Sequence, residues 1–372
     1  MKLRDDKGAF LQAFQALDRS ALNRLFDENR NNIDPELAHR LKILKFSSLF
    51  KSITKPWDDF FHKKKIEETE LVSDPVFIIG HWRSGTTFLH NLLSCDKNFT
   101  FPTMIQAFNP HSFISFGKMH KFLMDLVVPK TRSMDQVVIG SQVPQEDEFA
   151  IALTSGISPY FEMVFPRDGK DYQRFLRMKD VSKTELAQWK KAFIYFLKKI
   201  TYLDPKTILL KSPTHTARLS LLSEMFPNAK FIHIIRDPYV VYSSMLKLYE
   251  GYTSHQHLQV VSMEDAKKGI LSKYKEMFDA FEEEKEGLSS SRLITFKYEN
   301  LIKDPLKILE EVYKTLELPD FDEYYPEVAA YLKTLEGYQV NKISKFPPDE
   351  LREINRYCQR VFEVYGYDKI GV

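Results

Sequence analysis

The sequence predicts an α/β protein with three layers around a central, mostly parallel sheet, and helices at both ends of the chain. Three observations predict it. Short apolar runs recur at residues 76–79, 207–210, 231–235 and 293–296, as expected of strands covered on both faces. Helix-period stretches fill the intervals between them. The first run, Val76-Phe77-Ile78-Ile79, enters a glycine-bracketed turn that opens a helix, an arrangement that gathers backbone N–H groups on an anion.

A chain of 372 residues suits one large α/β core with appendages. The expected division is a helical layer over 1–73, a core over 74–318 with an insertion at about 98–175, and a closing helical segment over 319–372. With 43% hydrophobic and 28% charged residues the composition is globular, which excludes a disordered or low-complexity protein. Lys and Arg number 53 against 51 Asp and Glu, so no overall field marks nucleic acid as a partner and any anion site is local. Cys95 and Cys358 stand far apart without metal-ligand spacing, so they read as reduced core residues and no metal is expected. Charges interrupt every apolar stretch of MKLRDDKGAFLQAFQALDR, so no signal peptide or spanning segment is expected and the active site is expected in the cytoplasm.

Taken in order, residues 1 to about 66 carry helical spacing, with Phe10, Leu11, Phe14 and Leu17 on one face and Leu41, Leu44, Leu49 and Ile53 farther on. Residues 42–65 hold seven lysines against Asp58 and Asp59, interleaved with Phe46, Phe50, Trp57, Phe60 and Phe61. Two readings stand: peripheral contact with an anionic membrane, or, the favoured one, a solvated lysine face over a packed aromatic face. Ser182 to Glu185 is a capping box, followed by Leu186, Trp189, Phe193, Phe196 and Ile200, and that helix ends before Asp204-Pro205. Leu351, Ile354, Cys358, Val361 and Tyr365 form the stripe of the last helix, which buries Cys358. The EEEKE run at 282–286 reads as a solvated helix end. Residues 98–175 are rich in Phe, Pro and His without sustained periodicity.

The chemistry begins at Gly80-His81-Trp82-Arg83-Ser84-Gly85-Thr86-Thr87. Against the nucleotide-hydrolysing template G-x-x-x-x-G-K-[ST], Gly80, Gly85 and Thr87 match, but Thr86 stands in the lysine position and the basic residue is Arg83. An arginine inside the loop suits a shorter, metal-free phosphoryl or sulfuryl donor. A second element follows the run 231–235: Arg236-Asp237-Pro238, with Ser244 two helical turns on. Arg236 leaves the carboxyl end of a buried strand, the edge where open α/β sheets bind ligands.

Together these motifs resemble those of sulfotransferases that use 3′-phosphoadenosine 5′-phosphosulfate (PAPS), in particular the bacterial-type branch. Leu209-Leu-Lys-Ser-Pro-Thr-His and Phe296-Lys-Tyr-Glu-Asn-Leu-Ile-Lys-Asp-Pro are similar to further family segments, so the resemblance spans about 74–316. It implies that Arg83, Ser84, Gly85, Thr86 and Thr87 hold the 5′-phosphosulfate, that Arg236 and Ser244 hold the 3′-phosphate, and that Tyr298 lies near adenine. The Arg-Lys-Gly triplet of cytosolic members is absent; Asn341 and Lys342 are the substitute at the 3′-phosphate.

Sulfuryl transfer needs in-line positioning, cationic stabilisation of the bridging oxygen and removal of the acceptor proton. Arg83 and Lys211, at the end of the 207–210 run, are the cations. For the base, His215 stands against a helix-capping role for the same ring, and Glu146 and Glu148 stand against simple compensation of a helix dipole. His81 and His111 read as hydrogen-bonded structural histidines. The acceptor is a hydroxyl or amine on a small molecule, apolar or lipid-like if Phe99, Phe101, Phe108, Phe113 and Phe116 line its pocket rather than a packed core. A P-loop kinase and a non-catalytic nucleotide-binding scaffold are the competing readings, and oligomeric state is not encoded in any seam that the patterns show.

Overall fold

The structure is a computed structural model describing residues 14–29, 32–127, 140–335 and 345–371. The chain forms two compact units, one from 1–70, 102–203 and 247–263, the other from 71–101, 204–246 and 264–372.

The second unit is built on one five-stranded sheet: β1 (Val76–Ile79), β2 (Phe99–Thr100), β3 (Thr207–Lys211), β4 (Lys230–Ile235) and β5 (Leu293–Lys297). The order is β2-β3-β1-β4-β5, and every pairing is parallel. Strand β1 lies in the middle because all four of its residues are apolar and both its faces are covered. On one face Val76, Ile78, Leu209, Ile232, Ile234 and Phe296 pack against the helices Thr86–Leu93, Tyr298–Lys303, Pro305–Thr315 and Phe321–Thr334. On the other, Phe77 stacks on Phe231 and meets Phe226, while His233 stacks on Phe281 of the helix Met263–Glu284 at 3.8 Å between ring centres. These faces and their helices are the three layers that the apolar runs predict.

Two expectations at the carboxyl end of this unit are corrected. The last helical stripe is broken at Cys358, whose ψ of 10° ends Pro348–Tyr357 before Gln359–Tyr365 begins, although the thiol is buried as expected. Burial also pushes the Cys95 thiol up to about 11, and both cysteines are free. The 282–286 run is not a solvated end: Glu282 accepts from Lys285 and the Tyr365 hydroxyl, and Glu284 accepts the Ser220 N–H at 2.9 Å. Both carboxylates are buried because they satisfy donors on neighbouring elements.

The first unit is helical. Asp18 caps Arg19–Glu28 through the N–H groups of Ser20 and Ala21, and Phe14 and Leu17 are buried beside it. Ser182 and Glu185 make the reciprocal capping box, which opens Lys183–Leu203. Inside 98–175 lie the helices Met104–Phe108, Phe113–Val127, Asp147–Ser155 and Gly169–Arg177. The first is announced by a capping box, Thr103 with Gln106, that sequence reasoning passed over. Here Phe113 is buried against Phe196, and half-buried Phe108 packs on Phe149.

The favoured reading of residues 42–65 is overturned. The helices Ala38–Thr54 and Pro56–Glu68 bury Arg40, Leu44, Ser48, Thr54, Asp58 and Ile66. Leu49, Ile53 and all five aromatics face outward, with Phe46 81% and Phe60 80% exposed. Polar anchors decide this orientation. Arg40 donates to the carbonyls of Ser254 and His257. Asp58 pairs with buried Lys199 at 2.8 Å and accepts the N–H groups of Ile114 and Ser115.

Candidate active site

The site grows from the carboxyl edge of the sheet. Ile78 of β1 is in register with Lys211 of β3, and Ile79 with His233 of β4, so the loops after the three central strands leave from one edge. Gly80, at φ 147°, turns the chain out of β1; a Cβ there would sit 2.5 Å from the Ile234 carbonyl oxygen. Its N–H donates to Thr216 Oγ1 at 2.7 Å, which ties the loop after β1 to the loop after β3. Ser84 folds its hydroxyl back onto the His81 carbonyl at 2.7 Å. Gly85, at φ 105°, then opens the helix Thr86–Leu93, whose first-turn N–H groups have no intrahelical partners.

Arg83 holds the left-handed conformation at φ 69°, which is costly for a residue with a side chain and occurs where the surroundings enforce it. The enforcement is visible. Its Nε donates to Ser244 Oγ at 2.7 Å, and its carbonyl accepts from Arg236 Nη1 at 3.2 Å. Arg236 in turn lies 4.1 Å over the Tyr298 ring, and that ring fills the space above Gly85. Arg83, Gly85, Arg236, Ser244 and Tyr298 therefore form one connected group, from motifs more than 200 residues apart in sequence. Two guanidinium groups and a helix N-terminus gathered at one edge are the chemistry that can receive a bis-anionic ligand.

The surroundings set charge states. Burial holds His81 down to about 4, and its Nδ1 lies 2.8 Å from the Trp82 carbonyl, so the ring is neutral and hydrogen-bonded. His111 is likewise held down to about 4 by burial. Burial raises the Asp237 carboxyl, against the N–H groups of Tyr239 and Val240.

The remaining predicted residues fall as follows. Lys211 and His215 are buried, the His215 ring standing edge-on to Phe77 at 5.4 Å. Thr86 is buried and Thr87 half-buried in the first turn of the loop helix. Glu146 and Glu148 belong to the helical unit: Tyr160 donates to Glu146 at 2.5 Å, and Ser158 to fully buried Glu148 at 2.6 Å. Asn341 and Lys342 lie outside the described residues. Thr216 is the residue that sequence reasoning missed, and no pattern in the sequence marks its contact with Gly80. Among the described residues no three His, Cys, Asp or Glu side chains are grouped to hold a metal ion.

Residues 75–323 match the model of the sulfotransferase family, which is more than half of the chain. The chain belongs to the sulfotransferase family. It is 33% identical, over 94% of its length and 90% of the relative's, to the omega-hydroxy-beta-dihydromenaquinone-9 sulfotransferase Stf3 of Mycobacterium bovis, and equally so to that of Mycobacterium tuberculosis. Among solved structures, sulfotransferase STF9 from Mycobacterium avium superposes with a TM-score of 0.71 at 15% identity, covering 95% of this chain and 92% of that one. STF1 from Mycobacterium tuberculosis gives 0.67 at 17% identity, covering 96% and 93%. At those identities the likeness shows the fold. This sulfotransferase is thus an enzyme of sulfuryl transfer with PAPS as its co-substrate.

Proposed function

We propose that this sulfotransferase transfers the sulfuryl group of PAPS to a hydroxyl on a lipid-like acceptor, working in peripheral contact with a membrane through residues 42–65. The donor side rests on one observation: Arg83 joins the two anion motifs, its side chain on Ser244 and its carbonyl on Arg236. The acceptor class is supported by the relative of 33% identity, whose name specifies a hydroxylated dihydromenaquinone.

PAPS supplies an activated sulfuryl group and a phosphate leaving group. The residues present fit such a donor: Arg83 and Arg236 supply two guanidinium groups beside the N-terminus of Thr86–Leu93. In the proposal the loop from Arg83 to Thr87 binds the 5′-phosphosulfate, Arg236 and Ser244 bind the 3′-phosphate, and Lys342 belongs to the same anion. Arg83 and Lys211 stabilise charge that grows on the bridging oxygen. Tyr298 is assigned a second duty beside adenine, since its ring supports both Gly85 and the Arg236 guanidinium.

Removal of the acceptor proton is assigned to one of three groups by substitution. His215→Ala, Glu146→Gln and Glu148→Gln each keep affinity for adenosine 3′,5′-bisphosphate, and the true base loses turnover by about 100-fold or more. Calorimetric titration tests the donor assignment itself. Adenosine 3′,5′-bisphosphate is expected to bind without Mg²⁺; tight binding of ATP·Mg²⁺ with none of the bisphosphate would make the loop a kinase loop instead.

A further inference from the structure

The helices Ala38–Thr54 and Pro56–Glu68 are amphipathic in the wrong sense for a helix packed on a protein core. Their inward residues include Arg40, Ser48, Thr54 and Asp58, whereas Ile43, Phe46, Phe50, Ile53, Trp57 and Phe60 are exposed. Those six recur at steps of three and four, so they form one apolar stripe along the outer side. Lys55 between the two helices keeps helical angles, φ −53° and ψ −47°, and the stripe continues across the junction. Leu49 and Phe61 widen it. A contiguous apolar surface of this kind marks an interaction site.

The stripe cannot be relieved by rolling the helices over. Arg40 is tied to two carbonyls, and Asp58 holds Lys199 and two N–H groups at the start of Phe113–Val127. That last helix carries a further exposed pair, Phe122 and Leu126, one turn apart beside exposed Lys118 and Lys121, the latter paired with Asp125. Lys42, Lys45, Lys63, Lys64 and Lys65 are exposed along or beyond the stripe. The acidic residues between 38 and 61 are Asp58, turned inward, and Asp59, which accepts from Tyr195. Lys63 and Lys64 lie 4.0 and 3.8 Å from Glu67 and Glu68, so the outer surface is apolar along 43–60 and most cationic at Lys42 and Lys45.

We propose that the stripe Ile43-Phe46-Phe50-Ile53-Trp57-Phe60 inserts into the interface of an anionic phospholipid bilayer, with the neighbouring lysines on headgroup phosphates. This rests on the proposed membrane contact and deepens it by assigning its inserted face and the lysines that meet the headgroups. Charge complementarity selects the bilayer over a second copy of the chain. A coiled-coil partner would place Lys42 and Lys45 beside the seam with no acidic residue between 38 and 57 to answer them, and would meet Pro56 at its edge. Phenylalanine and tryptophan beside lysine are instead the composition of helices that lie in a membrane surface.

Flotation of the full chain with vesicles of equimolar phosphatidylcholine and phosphatidylglycerol tests this. The protein is expected to float with them at low salt and to be released from phosphatidylcholine alone. The double substitution Phe46→Ser/Phe60→Ser should lower partition about tenfold or more, and Lys42→Gln/Lys45→Gln should lower it several-fold and flatten its salt dependence. Unchanged affinity for adenosine 3′,5′-bisphosphate shows that the variants are folded. The proposal is overturned if the parent stays unbound, if the Phe46→Ser/Phe60→Ser protein floats equally, or if sedimentation finds a dimer that this variant dissolves while vesicles bind neither protein. Neither donor nor acceptor enters the flotation, so loss of bisphosphate binding with flotation intact would sink the catalytic reading and leave this surface standing.

Discussion

Gly85→Ala is expected to destabilise the donor loop for two separable reasons. The backbone at φ 105° belongs to the region that side chains avoid, which costs about 1–3 kcal/mol. The new Cβ would also lie 2.2 Å from Tyr298 Cδ2 and 2.7 Å from Cε2. Tyr298 is buried and held under the Arg236 guanidinium, so its ring yields only by disturbing that contact. Overpacking of this kind adds about 1–3 kcal/mol. A combined loss of about 2–6 kcal/mol corresponds to a melting temperature lower by roughly 5–20 °C for a unit of this size. Differential scanning calorimetry reads the loss, and titration with adenosine 3′,5′-bisphosphate reads the site. Adding Tyr298→Ala should recover part of the steric share but none of the backbone share, giving a coupling of about 1–3 kcal/mol in the double-mutant cycle. If Gly85→Ala melts within about a degree of the parent, or if the two substitutions add without coupling, the ring does not support the loop and the argument fails.

Three further outcomes follow from other parts of the molecule. Arg83→Ala should cut turnover by about 100–1,000-fold, whereas Arg236→Ala should chiefly weaken bisphosphate binding, by about 10–100-fold; equal effects of both on turnover and binding in stopped-flow and calorimetry would undo the division of labour. Lys199→Met leaves Asp58 buried with its counter-charge gone and should cost about 3–5 kcal/mol in urea unfolding, much of it restored by Asp58→Asn; a neutral Lys199→Met would show the pair to be idle. Burial holds His233 down to about 3 and His120 to about 4, close to His81 and His111, so the folded protein refuses protons that the unfolded chain accepts near 6.5. Stability is therefore full above about pH 6.5 and falls as pH drops toward 4, with a limiting slope of about 1.4 kcal/mol per pH unit for a fully buried ring such as His233. His233→Phe, which keeps a ring on Phe281, should flatten that fall in melting experiments between pH 7 and 5; a parallel slope would refute it.

The sheet was legible because its strands are continuous apolar runs with no competing period, and the donor loop because Gly80, Gly85 and Arg83 stand at fixed spacing after one of them. The connected group at the sheet edge was legible only in part: motif residues were identifiable, but that Tyr298 props Gly85, or that Thr216 accepts from Gly80, depends on strand order. The segment 98–175 hid its helices because short ones, such as Met104–Phe108, are set by caps and neighbours rather than by an apolar period. Residues 42–65 misled for a physical reason. Aromatic side chains at helical spacing normally mean burial, and here buried ion pairs and carbonyl contacts fix the opposite face inward.

Strand β1 has a consequence for synthesis. Its two hydrogen-bonding neighbours, β3 and β4, are encoded more than a hundred residues after it. At ordinary translation rates the nascent chain carries Val76–Ile79, bare along both edges, for on the order of ten seconds before a native partner emerges. Four consecutive apolar, β-prone residues with open edges are a template for intermolecular pairing. The same central placement that positions the donor loop therefore leaves the ribosome-bound chain open to intermolecular pairing, and codon changes that slow translation across 80–206 should lower soluble yield without altering one residue of the finished enzyme.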